Sequence, residues 1–175
     1  MRIVLLVLLS VISLVSQGQK NESNVEINLN DKSLKSIPDS IFDMVNITYL
    51  DLGGRATIYP PLSALLDSNA NRITDLTEKI GNLKNLRTLI LSCNKLSSLP
   101  KSFVLLQNLE ILDLSLNTQL DLLGELDKLK QLKKLKTLKI AFLPIADDDL
   151  NKIKNSLSPN LKIISTASEY IKSVN

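Results

Sequence analysis

Leucine and isoleucine recur along this chain on a fixed period. Leu86, Leu89, Leu91, Leu96, Leu99, Phe103 and Leu106 make one unit with Asn94 and Pro100 between them, and the pattern restarts 23 residues on at Leu109, Leu112, Leu114 and Asn117. Shifted back by the same interval, Leu66, Asn71, Ile73, Leu76, Ile80 and Leu83 fall in phase from Ser63, and a degenerate copy runs through Ile27, Leu29, Leu34, Ile37, Ile41 and Met44. Later units stretch to 26 residues, and Leu161, Ile164 and Thr166 read as a last strand-like start. The chain thus divides at 24–46, 47–62, 63–85, 86–108, 109–134 and 135–160, with a closing strand and tail at 161–175. Such a period predicts a stacked array, because no single unit can bury its apolar face alone.

The spacing inside the later units is helical. Leu122, Leu126, Leu129, Leu132 and Leu135 follow three- and four-residue steps, as do Leu150, Ile153 and Leu157. Asp147 is the expected N-cap, Asp148 and Asp149 oppose the positive helix end, and Ser158-Pro159 stops the run. One stretch breaks the period. Ile47, Leu50 and Leu52 open a unit, yet Ser63 follows only 16 residues later, where a coil needs about 20. Gly53-Gly54 and Pro60-Pro61 crowd it with breakers, so an irregular turn and a weak point in the stack are expected, with the register near 63–68 left open.

The first residues have a different character. Met1-Arg2 precedes a thirteen-residue apolar run, Ile3–Val15, broken only by Ser10 and Ser13, and small residues at Ser16 and Gly18 place a cut before Gln19. Residues 1–18 are read as a signal peptide, too short for a membrane span of about 20 residues, with the mature chain exported as residues 19–175.

Composition narrows the chemistry. There is no His and a single Cys, Cys93, which excludes imidazole catalysis, a zinc knuckle and an intramolecular disulfide. Five glycines form no phosphate-cradling loop, and the carboxylates of Asp147, Asp148 and Asp149 point in different directions. No enzyme activity, cofactor or metal is expected. Loss of Arg2 with the leader leaves twenty basic against eighteen acidic residues, too even for nucleic-acid binding by bulk charge.

The pattern L-x-x-L-x-L-x-x-N-x-L-x-x-L-P over Leu86–Pro100 resembles the leucine-rich repeat family, in its Leu-Pro-containing type common in bacteria. Residues 147–164 resemble the closing repeat of secreted bacterial members, and the lack of disulfide-bonded caps fits the same source. The resemblance, over about residues 24–166, implies an α/β solenoid with a curved parallel sheet on its concave side and helices or short turns on its convex side. It also implies an asparagine ladder, carried by Asn71, Asn94 and Asn117, with Lys32, Arg55 and Leu143 at the equivalent places elsewhere. Buried amides there satisfy backbone groups at the bend after each strand.

In this family the partner usually meets the concave sheet through the outward strand positions. Carried over, those positions include Tyr49, Asp51, Asp67, Arg87, Ile90, Glu110, Asp113, Lys136 and Lys139, and in the closing strand Lys162, Ile163 and Ser165. Acidic groups dominate the earlier strands and lysines the last two, a gradient suited to orienting a protein partner. The same residues also suit a sheet face that is merely solvated. Tyr, Arg and Ile are interface-enriched types, and this favours binding.

Three further features have ordinary readings. The run Lys128, Lys130, Lys133, Lys134, Lys136 and Lys139 could form a convex patch for an anionic glycan, but it also fits a solvated helix back. Cys93 could pair between molecules or be a small half-buried residue. Asn21-Glu22-Ser23 and Asn46-Ile47-Thr48 match the glycosylation tripeptide. The expected function is an exported, non-catalytic protein-binding module, and the alternative is an envelope-associated structural or polysaccharide-binding component.

Overall fold

A computed structural model describes residues 24–54, 56–59, 63–66 and 69–174. The signal-peptide reading, Asn21, Arg55 and Asp67 lie outside the described residues. Six short strands pair in parallel: β1 (Val25–Asn28), β2 (Ile47–Asp51), β5 (Thr88–Ile90), β6 (Ile111–Asp113), β7 (Thr137–Lys139) and β8 (Lys162–Ile164), in that spatial order. The fold is an α/β leucine-rich repeat solenoid. Among the described residues, no helix is long and apolar enough to cross a membrane.

The in-phase leucines form the inner ladder. Leu50, Leu89, Leu112 and Leu138 sit opposite one another on neighbouring strands and are wholly buried. Leu52, Leu91 and Leu114 repeat the arrangement at the strand ends, within one continuous core. Burying one such side chain contributes about 1.5–3 kcal/mol, and each coil depends on its neighbours to bury its own.

Coil length selects the convex element. The shorter coils return through single 3-10 turns at Asp39–Asp43, Glu78–Asn82 and Lys101–Leu105. The 26-residue coils have three more residues, close to one α turn of about 3.6. They return through α1 (Leu126–Leu129) and α2 (Asp147–Ser156). The leucine spacing from 122 to 135 therefore yields only one helical turn. Ala146, not Asp147, is the N-cap of α2, so all three aspartates lie within its first turn.

The asparagine ladder is present at the expected residues. Asn94 Nδ2 donates to the carbonyls of Leu52, Leu91 and Ser92 at 2.9, 3.0 and 3.3 Å, and its Oδ1 accepts Ile73 N–H at 2.9 Å. Asn117 repeats this with Leu91, Leu114 and Ser115, and accepts from Leu96 N–H. Asn71 does so with Leu29, Leu52 and Gly53, and accepts from Lys32 and Leu34 N–H. Successive asparagines thus share the carbonyls of Leu52 and Leu91.

That geometry corrects the unit boundaries at 47–62 and 63–85. Asn71 bonds the strand end of β2, so it takes the place assigned to Arg55. Strands β3 (Ala56–Tyr59) and β4 (Ser63–Leu66) do not join the parallel sheet; they pair antiparallel with each other, and β2 pairs directly with β5. Residues 47–85 are one coil carrying a sixteen-residue insertion, which accounts for both the short spacing and the breakers.

The insertion's ends meet. A Cβ on Gly54 would lie 2.9 Å from the Ala70 Cβ. Excising residues 55–70 would join Gly54 to Asn71, just as Cys93 joins Asn94. Cys93 and Leu116 adopt positive φ at this place (59° and 61°), which glycine tolerates freely. The excised protein is expected to melt within about 5 °C of the parent. Loss of cooperative melting would show instead that the hairpin is integral to the stack.

The closing strand is shifted by one residue from the expected register. Leu138 faces Ile163, which packs on the main core, while Ile164 faces Lys139 on the opposite side. There Ile164 is buried with Ala141 and Tyr170 in a second, small cluster. Its cover is α3 (Ala167–Val174), where the sequence suggested only a tail after the closing strand. Thr166 Oγ1 accepts Glu169 N–H at 3.2 Å and Glu169 Oε2 accepts Thr166 N–H at 3.2 Å, a reciprocal capping box that starts the helix.

Candidate functional site

Strand residues that do not enter the core face the concave side in three columns. The middle column runs Glu26, Tyr49, Thr88, Ile111, Thr137 and Lys162 in direct register across all six strands. Its four central members are half-buried and its two ends are exposed. Tyr49 is the aromatic of this strip. Partial burial, then the charges of Asp51 and Glu26, push its phenol above the usual range.

Beside this column lies a row of charges. Arg87 Nη1 meets Glu110 Oε1 at 3.3 Å, and Lys136 Nζ meets Glu110 Oε2 at 2.5 Å. The Lys136 hydrogen bond, followed by the Lys136 and Arg87 charges, holds the Glu110 carboxyl below its ordinary range. The Arg87 and Lys136 side chains remain 64% and 70% exposed. Exposed pairs of this kind contribute about 0–1 kcal/mol, so a partner can replace them at small cost.

The third column behaves differently. Asp51 and Asp113 are only 7% and 1% exposed. Asp51 Oδ1 accepts Gly53 N–H at 2.8 Å and Asp113 Oδ1 accepts Ser115 N–H at 3.0 Å, and Asn28 repeats the turn with Asn30 N–H at 3.0 Å. These short side chains fold back to fix the bend after the strand, which leaves them little surface for a partner. Ile90, between the two aspartates, is half-buried. Lys139 lies beneath α3, with its Nζ 5.6 Å from the centre of the Tyr170 ring.

Burial raises the Asp113 carboxyl, against the opposing effect of the Ser115 bonds, the Lys139 charge and Tyr170. Its folded pKa therefore exceeds the ordinary value of 3.8. The resulting stabilisation is complete below that value and is lost as pH rises through the folded pKa. Asp113→Asn keeps the acceptor for Ser115 and cannot ionise. It is expected to raise the melting temperature at pH 7 and, by removing the stability that the parent gains as Asp113 protonates, to steepen the acid limb of a melting-temperature profile against pH. An unchanged profile would contradict this.

The lysine run does not form one patch. Lys128 bonds Glu125 and the Leu99 carbonyl, and Lys130 pairs with Asp127, both on the convex helix. Lys134 reaches Asn108 at 2.7 Å, Lys136 joins the Glu110 row, and Lys139 contacts Tyr170. Cys93 is 2% exposed, and burial pushes its thiol up to about 12, which makes it unreactive. The residues missed by sequence reading are Tyr170 and Phe142. The Thr166-x-x-Glu169 capping box was the signal that a helix, and not an unstructured tail, carries Tyr170.

The family described as leucine rich repeat matches residues 66–118. Adenylate cyclase of Schizosaccharomyces pombe is 38% identical over 112 residues, which cover 59% of this chain and 7% of that protein. This chain thus spans less than a tenth of that curated relative. The solved structure of a leucine-rich repeat (LRR) protein from Leptospira interrogans superposes with a TM-score of 0.53 at 24% identity, over 81% of this chain and 37% of that one, and shows the shared fold. The matched repeats, the solenoid fold and the asparagine ladder are features this chain shares with leucine-rich repeat proteins.

Proposed function

We propose that this chain is an exported, non-catalytic protein-binding module whose partner lies across the concave sheet. Leucine-rich repeat domains commonly bind proteins. The observation that carries the reading here is the open strip Tyr49, Thr88, Ile111 and Thr137, bordered by the solvent-facing Arg87–Glu110–Lys136 row. Apolar and hydroxyl groups in the strip supply contact area, and the charged row sets orientation. Exposed Glu26 at one end of the sheet and Lys136 and Lys162 toward the other give that face a polarity that supports this reading. The lysines divide between the convex helix and the concave row, so no observation favours the glycan-binding alternative. The share of the cyclase that aligns is too small for its activity to be carried over.

The test is cross-linking capture from the host's extracellular fraction, with the wild-type chain and a Tyr49→Ala, Arg87→Ala, Ile111→Ala variant as baits. The variant is expected to lose the captured protein and keep its circular dichroism. Capture undiminished by a folded variant would move the contact off this face.

A further inference from the structure

Helix α3 adds almost nothing to the solenoid core. Its one buried residue, Tyr170, belongs to the small separate cluster with Ala141, Ile164 and the edge of Phe142. The two rings meet edge to face, with centroids 6.2 Å apart and planes at 88°. Lys139 Nζ lies over the Tyr170 ring and donates to the Ser173 carbonyl at 3.4 Å. The polar groups that act on its phenol hydroxyl are Ser92 and Asp113, on the coils of β5 and β6. Tyr170 thus reaches back from β8 along the concave rim, over coils whose residues there are small and buried: Ala141, Ser115 and Ser92.

We propose that this rim is a binding seat for a tyrosine-bearing peptide segment, filled in the free chain by its own α3 acting as a displaceable strap. Each part of the seat selects a phenol. A cation covers the ring face, Phe142 meets it edge-on, and a buried carboxylate and a serine are the polar groups nearby for a hydroxyl. An aliphatic side chain would leave the hydroxyl partners unanswered, and a carboxylate would repel Asp113.

The strap is built to lift. Eight residues are too few for a helix to hold without docking, and α3 buries one side chain fully. Ser168, Glu169, Lys172 and Val174 point to solvent. No residue of α3 belongs to the main core, so its departure leaves the leucine and asparagine ladders whole. Its tether sets an effective concentration of order millimolar, which a free peptide at micromolar concentration cannot match. The seat lies on the same face as the proposed partner strip. The regulatory consequence, that a partner must displace α3 to use the rim, rests on that reading.

The seat can be measured without the partner. A fluorescein-labelled synthetic peptide of residues 165–175 is titrated by anisotropy into the full chain and into its Tyr170→Ala variant. The expected result is at least tenfold tighter binding to the variant, which melts close to the parent, and loss of binding when the peptide's own tyrosine is replaced by alanine. Equal binding to both chains would overturn cis occupancy. Absence of binding to a folded variant would overturn the seat. Global unfolding of Tyr170→Ala would overturn the strap by making α3 part of the core. None of these outcomes alters what the Tyr49, Arg87, Ile111 variant reports about the partner strip.

Discussion

Replacing Asn94 with alanine is expected to lower stability by about 4 kcal/mol, the sum of an orphaned buried donor and several lost buried hydrogen bonds. The carbonyls of Leu52 and Leu91 keep Asn71 and Asn117 respectively as donors, because the ladder shares them. Ile73 has no such substitute: its N–H donates to Asn94 Oδ1 at 2.9 Å and the residue is fully buried. At this chain length the loss corresponds to a fall of about 10 °C in melting temperature. Asn94→Asp is the informative companion. It restores an acceptor for Ile73, but turns an oxygen toward the carbonyls that Nδ2 served and buries a charge. It is therefore expected to be at least as damaging at neutral pH and to recover in part on acidification. Urea denaturation of the three proteins at pH 7 and pH 5 checks both effects. An alanine variant within 1 kcal/mol of the parent, on the order of a single hydrogen bond, would remove the ladder from the account.

Phe103→Ala carries a comparable expected cost, about 3–5 kcal/mol, because its ring is completely buried at the 3-10 turn Lys101–Leu105. The repeat predicts which replacement is tolerated. Ile41 and Ile80 occupy the same place in earlier coils and are equally buried. Phe103→Ile is therefore expected to cost below about 1.5 kcal/mol, since each coil closes on a side chain of that shape. If isoleucine proved as costly as alanine, the coils would not be equivalent at this position.

The sequence announced the inner ladder because leucines and asparagines must recur in phase for coils to stack. It misled where a different structure satisfies the same phase. Ser63–Leu66 lies 23 residues before Leu86–Leu89, and its apolar residues suit an antiparallel hairpin as well as a repeat strand. Only pairing between strands separates the two, and pairing is not written in one segment. Asn71 was the reliable marker, since its amide must meet particular carbonyls. The concave face was legible as a set of outward positions but not as surface. Asp51 and Asp113 point outward at their Cβ, yet their short side chains turn back to the N–H two residues on. Lys139 was hidden for another reason: its cover comes from Tyr170, 31 residues later, in a helix whose capping box went unread.

The central claim is that this chain acts by contact through the open half of its concave sheet. It is tested most directly by placing a benzoylphenylalanine photo-cross-linker at Thr88, in the middle of the strip, and in a second protein at Leu105, an exposed apolar residue on the convex turn. Irradiation in the host's extracellular fraction is expected to give one discrete protein adduct from position 88 and none from position 105. An adduct from 105 alone would contradict the claim.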